Sequence, residues 1–228
     1  MITKSIIIFI VGLLNIILGI LILKKNSKNS SNIWYFYLCL FGGSWAVVKA
    51  FQISVLNLFL QDFVITKLIY LFGVLAPFSY LMFAYNFPYK LKVYSKKLLY
   101  LIYLIPAIFI VLNLIGILKK HNTYIINNLV QREVIFNEFL IFAIYFFIYV
   151  IFGFILLLAK YKKDSGIYRN QIKYLIIATL GTFITTGYVS IILLLFNNFT
   201  YDWLGALFLL IHFGVAGYLI FFKSLKNY

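Results

Sequence analysis

FLIFAIYFFIYVIFGFILLL, Phe139–Leu158, runs directly into AKYKKDSGIYRNQIK, 159–173. The first string carries no charge over about 20 residues, which as a helix rising 1.5 Å per residue spans roughly the 30 Å of a hydrocarbon layer. The second string holds five Lys and Arg residues. Together they read as a membrane-spanning helix that ends in a basic loop. Working outward, six more runs of this kind appear: Ile6–Leu23, Ile33–Leu56, Leu68–Phe87, Leu98–Leu118, Tyr174–Phe196 and Trp203–Phe222. The expected fold is an all-α membrane protein, a seven-transmembrane helix bundle.

Composition agrees with this reading. Hydrophobic residues make up 64% of the 228 residues and charged residues 11%, where soluble domains have about 25% charged. The longest gap between apolar runs is Lys119–Glu138, too short for a soluble domain. Residues 1–228 are therefore expected to form a single seven-helix transmembrane domain. The net charge of +15 sits at helix ends, where it meets lipid headgroups, so the bilayer is the expected partner and nucleic acid is not.

The loops alternate in charge. The first tail and the second, fourth and sixth loops hold five Lys and Arg; the first, third and fifth loops and the final tail hold fourteen. Asp62, Glu133, Glu138 and Asp202 fall on the poorer side. The positive-inside rule then predicts the N-terminus outside and the C-terminus cytoplasmic. The first apolar run is longer than a signal-peptide core and ends in Lys24-Lys25, so it is read as a retained helix. The expected location is the cell membrane, multi-pass, in a bacterial inner membrane.

Polar residues inside spans are costly in lipid and mark places to look. Asn15 and His212 lie near the middle of the first and seventh spans and are paired as a structural hydrogen bond between neighbouring helices. Lys49, near the outer end of span two, is read as snorkelling to the headgroups, with an anion-attracting role at a cavity mouth as the alternative. In span six, Gly181 and Thr185 share one face and Thr182, Thr186 and Ser190 another. These suit close helix packing, or the polar wall of a cavity. Gly42-Gly43-Ser44 and Gly214 to Gly217 have the same packing reading. Pro77 and Pro106 interrupt spans three and four, and Pro77 points to a cavity. The candidate ligand-binding residues are Pro77, Tyr80, Thr185, Tyr188 and His212. The loop 119–138 is compatible with a small β-hairpin, an amphipathic lid or an interfacial segment.

Several chemistries have no residues to support them. There are two histidines, His121 and His212, and no zinc-hydrolase spacing. No carboxylate pair lies within a span, and no Gly-rich phosphate loop is present. Span seven has no Lys for a retinal Schiff base. Neither enzymatic activity nor a cofactor or metal is expected.

Four segments in order carry a family resemblance: KNSKNSSN at Lys25–Asn32, Trp45 inside span two, LFGVLAPFSYLMFAYNFP at Leu71–Pro88, and RNQIK at Arg169–Lys173. In these the chain resembles the seven-transmembrane N-terminal sensor region of bacterial histidine kinases, which also precedes some diguanylate cyclases. The resemblance implies an input module that passes a helix movement to an output. After Phe222 only six residues follow and no output domain is seen, so kinase activity is not carried over. A signalling partner and an unknown small ligand are expected, with any cavity bounded by spans three, six and seven beneath loop 119–138. A truncated sensor gene stays open as an explanation. A small permease or channel component, or a membrane scaffold subunit, is the alternative function.

Overall fold

The structure is a computed structural model, and it describes residues 2–54, 64–90, 95–118, 121–126 and 129–218. The apolar runs form α1 (Ile2–Lys25), α2 (Ser30–Ser54), α3 (Thr66–Asn86), α4 (Lys96–Leu114), α5 (Phe136–Lys163), α6 (Gly166–Leu195) and α7 (Leu204–Gly217). Among the described residues, the first six are long and apolar enough to cross a membrane. The expected seventh span continues beyond α7 to Phe222, outside the described residues. The protein is an all-α membrane bundle of seven helices, with one small hairpin between α4 and α5.

The helices do not contribute equally. α1 packs on α2 and α7, α2 on α3, α3 on α5, α5 on α6, and α6 on α7, so six helices close a ring. α4 stands outside it and packs chiefly on α3, with only Pro106 and Asn113 buried along its length. Its outer face, including Tyr100, Leu101 and Leu104, is exposed, as are Ile6, Ile10 and Ile17 of α1. Contiguous apolar surface on this scale would aggregate in water and is the face a bilayer covers. The expectation that the first and last helices are neighbours is met.

Two devices hold the ring together. Gly12 and Gly43 let α1 and α2 cross backbone to backbone: a Cβ on either would come within 2.7 Å of the other's carbonyl oxygen. Tyrosine hydroxyls then tie helices to neighbouring main chain. Tyr35 donates to the Phe213 carbonyl at 3.1 Å, Tyr145 to Val74 at 2.9 Å and Tyr149 to Ile102 at 2.9 Å. Interhelical bonds of this kind contribute about 0.6–2 kcal/mol each in a membrane. The packing reading of the other small residues is met in part. Gly42 lies against the Phe213 ring and Gly217 against Ile22 and Tyr35, whereas Gly181 and Gly214 face open space.

Loop 119–138 contains the hairpin: β1 (His121–Ile126) pairs antiparallel with β2 (Leu129–Val134), in register from His121 opposite Val134 to Ile126 opposite Leu129. Residues 127 and 128, between the strands, lie outside the described residues. The fifth loop differs from expectation. Most of 159–173 is helical, with α5 running to Lys163 and α6 starting at Gly166. Lys, Arg and Gln favour helix about as well as Leu does, so hydropathy ends the apolar run without ending the helix.

Candidate functional site

Between the helices of the ring lie two adjoining cavity lobes, about 90 Å³ and about 80 Å³, which share Gly42, Ala76, Phe146, Thr186 and Leu209 in their walls. These walls come from α2, α3, α5, α6 and α7, so the expected boundary of spans three, six and seven is widened by two helices. The first lobe includes Pro77, Tyr80, Thr179, Thr182, Phe183 and Phe213. The second includes Trp45, Tyr70, Gly73, Phe142 and Ser190. No hairpin residue is among the lining residues described.

The wall is apolar with a few hydroxyls set into it. Tyr80 is held by α5, where its ring lies against Gly153; a Cβ there would come within 2.5 Å of Tyr80 Cε1. Its hydroxyl lies within reach of that of Thr179, and the two share no hydrogen bond with any third group among the described residues. The Tyr70 hydroxyl is without a hydrogen-bond partner among the described residues. Thr186 Oγ1 donates to the Gly205 carbonyl at 3.3 Å and Ser190 Oγ to the Asp202 carbonyl at 3.4 Å. Ser190 belongs to a π-helical turn, Tyr188–Ile192, inside α6. Such turns are frequent at functional sites.

A buried ion pair lies beside the second lobe. Lys49 Nζ meets the Asp202 carboxylate, and both residues are almost fully buried. The Trp45 ring, which lines the cavity, has Lys49 Nζ 5.0 Å from its centroid. The snorkelling reading of Lys49 is therefore corrected. Its side chain turns inward because Asp202 offers a counter-charge there, whereas snorkelling requires the head group to reach water. The α6–α7 loop that supplies Asp202 is also held elsewhere. Val134 N–H of the hairpin donates to Asn197 Oδ1 at 2.8 Å, and Lys4 Nζ lies 5.0 Å from the Trp203 ring.

At the opposite end of the bundle, Lys160 is buried too, against main chain. Its ammonium donates to the carbonyls of Ala84, Tyr85, Phe87 and Tyr89 at 2.5–2.9 Å. Ala84 and Tyr85 belong to the last turn of α3, whose carbonyls run out of helical donors, and Phe87 and Tyr89 follow the helix end. One turn on, Asp164 accepts a bond from the exposed Tyr89 hydroxyl at 3.0 Å. Burial and the adjacent Asp164 carboxylate raise the Tyr89 phenol above its ordinary pKa. Arg169 caps this corner, its guanidinium 4.9 Å from the Tyr161 ring centroid.

Comparison with known families places this architecture. A family model described as the N-terminal 7TM region of histidine kinase matches residues 7–225. The chain belongs to this family. It is thus a multi-pass membrane protein and a sensor-type input module. No curated protein matches it.

The candidate residues are distributed unevenly around this input module. Pro77 and Tyr80 line the first lobe. Thr185 is outside the lining; its hydroxyl is bonded within its own helix, to the Gly181 carbonyl at 2.7 Å and Thr182 at 3.3 Å. Tyr188 is 54% exposed, on the outer surface. The His212 side chain lies outside the described residues, and the expected Asn15–His212 bond with it. Asn15 itself is fully buried in α1, its amide without a partner among the described residues. Thr179, Trp45 and the Lys49–Asp202 pairing were missed. The available signal for the pair was parity, because the charge count puts Lys49 and Asp202 at the same end of the bundle.

Proposed function

We propose that this input module binds a small ligand in the central cavity and signals through a partner protein at its basic end, across a bacterial inner membrane. The observation that carries the reading is the pair of buried hydroxyls, Tyr80 and Thr179, set side by side in an otherwise apolar wall. A buried hydroxyl left unbonded costs about 1–3 kcal/mol, so a ligand that bonds there gains affinity from the same groups. Pro77 adjoins them, and the helix it interrupts ends at the Lys160 site. Ligand-driven movement of α3 relative to α5 would therefore be felt among the basic residues. The asymmetry of Lys and Arg supports an orientation with the N-terminus outside, the hairpin outward and the basic end cytoplasmic.

The test is site-specific photo-crosslinking in native membranes from the exposed Tyr168, at the basic end of α6. Capture of a kinase or cyclase is expected. If repeated experiments capture no signalling protein there, the reading fails. Single-cysteine labelling in a Cys39→Ala background checks orientation independently. A cysteine at Asn122 is expected to react with an impermeant reagent in intact cells, and one at Asn170 only after permeabilisation.

A further inference from the structure

The cavity's lining says more about its ligand than that it is small. None of the described lining residues of either lobe is charged. The nearest charges, Lys49 and Asp202, are engaged with each other. A charged ligand in such a wall would lose its hydration with nothing to replace it, at a cost of several kcal/mol. Tyr80 and Thr179 are each 5% exposed, and their paired hydroxyls have no third partner among the described residues, which leaves bonding capacity for a ligand oxygen. Pro77 has no N–H to return to the Gly73 carbonyl one turn earlier, and Gly73 lines the second lobe.

Volume sets the scale. Each lobe alone is smaller than the ~150 Å³ that admits a benzene ring, so a ring-sized occupant needs space from both. The body of such a molecule would lie against Phe146, Phe183 and Leu209, where the lobes meet.

We infer that the adjoining lobes select a small, uncharged, lipophilic molecule carrying one hydroxyl or carbonyl, its oxygen held by Tyr80 and Thr179. This rests on the input-module reading and specifies the ligand class it responds to. Such a molecule partitions into a bilayer, so it reaches the ring through lipid as readily as through water.

Equilibrium binding to the purified full chain in nanodiscs tests this, using benzyl alcohol as the probe and benzoate and benzylammonium as its charged counterparts. Trp45 fluorescence reads occupancy of the second lobe. Saturable benzyl alcohol binding is expected, with neither charged probe competing. Tyr80→Phe and Thr179→Val should each weaken it about tenfold, and Ala76→Phe, which fills the junction, should abolish it. Tyr80→Phe keeps the ring packed on Gly153 and removes only the hydroxyl, so its folding is expected to be intact even if Ala76→Phe fails to fold. Equal affinity for the charged probes, or binding unchanged in Tyr80→Phe and Thr179→Val, overturns the inference. Because no partner is present, failure here leaves the crosslinking test of signalling standing, and failure of crosslinking leaves this binding result standing.

Discussion

Two lysines are buried at opposite ends of the bundle, and they are satisfied in different ways. Lys49 is matched by one carboxylate, a side chain on the loop between α6 and α7. Lys160 is matched by four backbone carbonyls at the end of α3. The first arrangement is a pair that substitution can replace as a unit. The second is built into the chain path, with main-chain acceptors that no substitution exchanges and the Asp164 carboxylate close by. The hairpin end is thus joined by side chains, and the basic end by main chain.

Lys160→Met gives the sharpest test of that difference. Four carbonyls would lose their donor, at about 1–3 kcal/mol each if left unbonded. The expected result is loss of the folded protein, or a fall of several kcal/mol in unfolding measurements in detergent. No second substitution should restore it. Asp202→Asn comes next, because it leaves a buried ammonium without its counter-charge, at about 3–5 kcal/mol. Here rescue is expected: the double variant Lys49→Met/Asp202→Leu should return to within about 1 kcal/mol of the parent, since apolar replacement of a buried pair is often neutral. A double-mutant cycle reads the coupling. If the double variant is as unstable as Asp202→Asn, the two ends are not different in kind.

A smaller effect concerns how the loop is held at the hairpin end. Asn197 has φ +56° and accepts the Val134 N–H. Asn197→Gly keeps that backbone accessible and removes the bond, so about 1 kcal/mol of stability should be lost. Proteolytic susceptibility of the hairpin should rise in step. The smallest effect is expected at the other end, for Tyr89→Phe. This bond to Asp164 is solvent-exposed, and its loss should shift stability by less than about 0.5 kcal/mol. A large effect there would mean that Asp164 helps to hold the Lys160 corner.

Seven helices were legible because each is a long apolar run with at most one charge, Lys49 in span two, and burial of backbone polar groups in lipid leaves such a run little choice but helix. The hairpin in loop 119–138 was one of three readings left open by the sequence, and the strand pairing decides among them. Pro77 was found because a proline inside a span is unusual, and Tyr80 lies about one turn on from it along the same helix. Thr185 and Tyr188 were placed with them on helix position alone. On the helix surface, however, Thr185 and Thr186 are turned about 100° apart, and only the second faces inward. The ends of α5 and α6 were misjudged because hydropathy reports where lipid ends, and the helix continues past that point.

By itself, the sequence determined what each segment must be: an apolar run of this length becomes a helix, and the basic loops alternate with poor ones. Only the tertiary structure decided which helices meet. α4 is as apolar as its neighbours, yet it lies outside the ring. Lys49 and Lys160 look like two more headgroup contacts, yet both point inward. The reason is physical. Helix formation in lipid depends on the segment's own residues, whereas the burial of a charge depends on a partner supplied by another part of the chain: Asp202, 153 residues away from Lys49, and the end of α3 for Lys160.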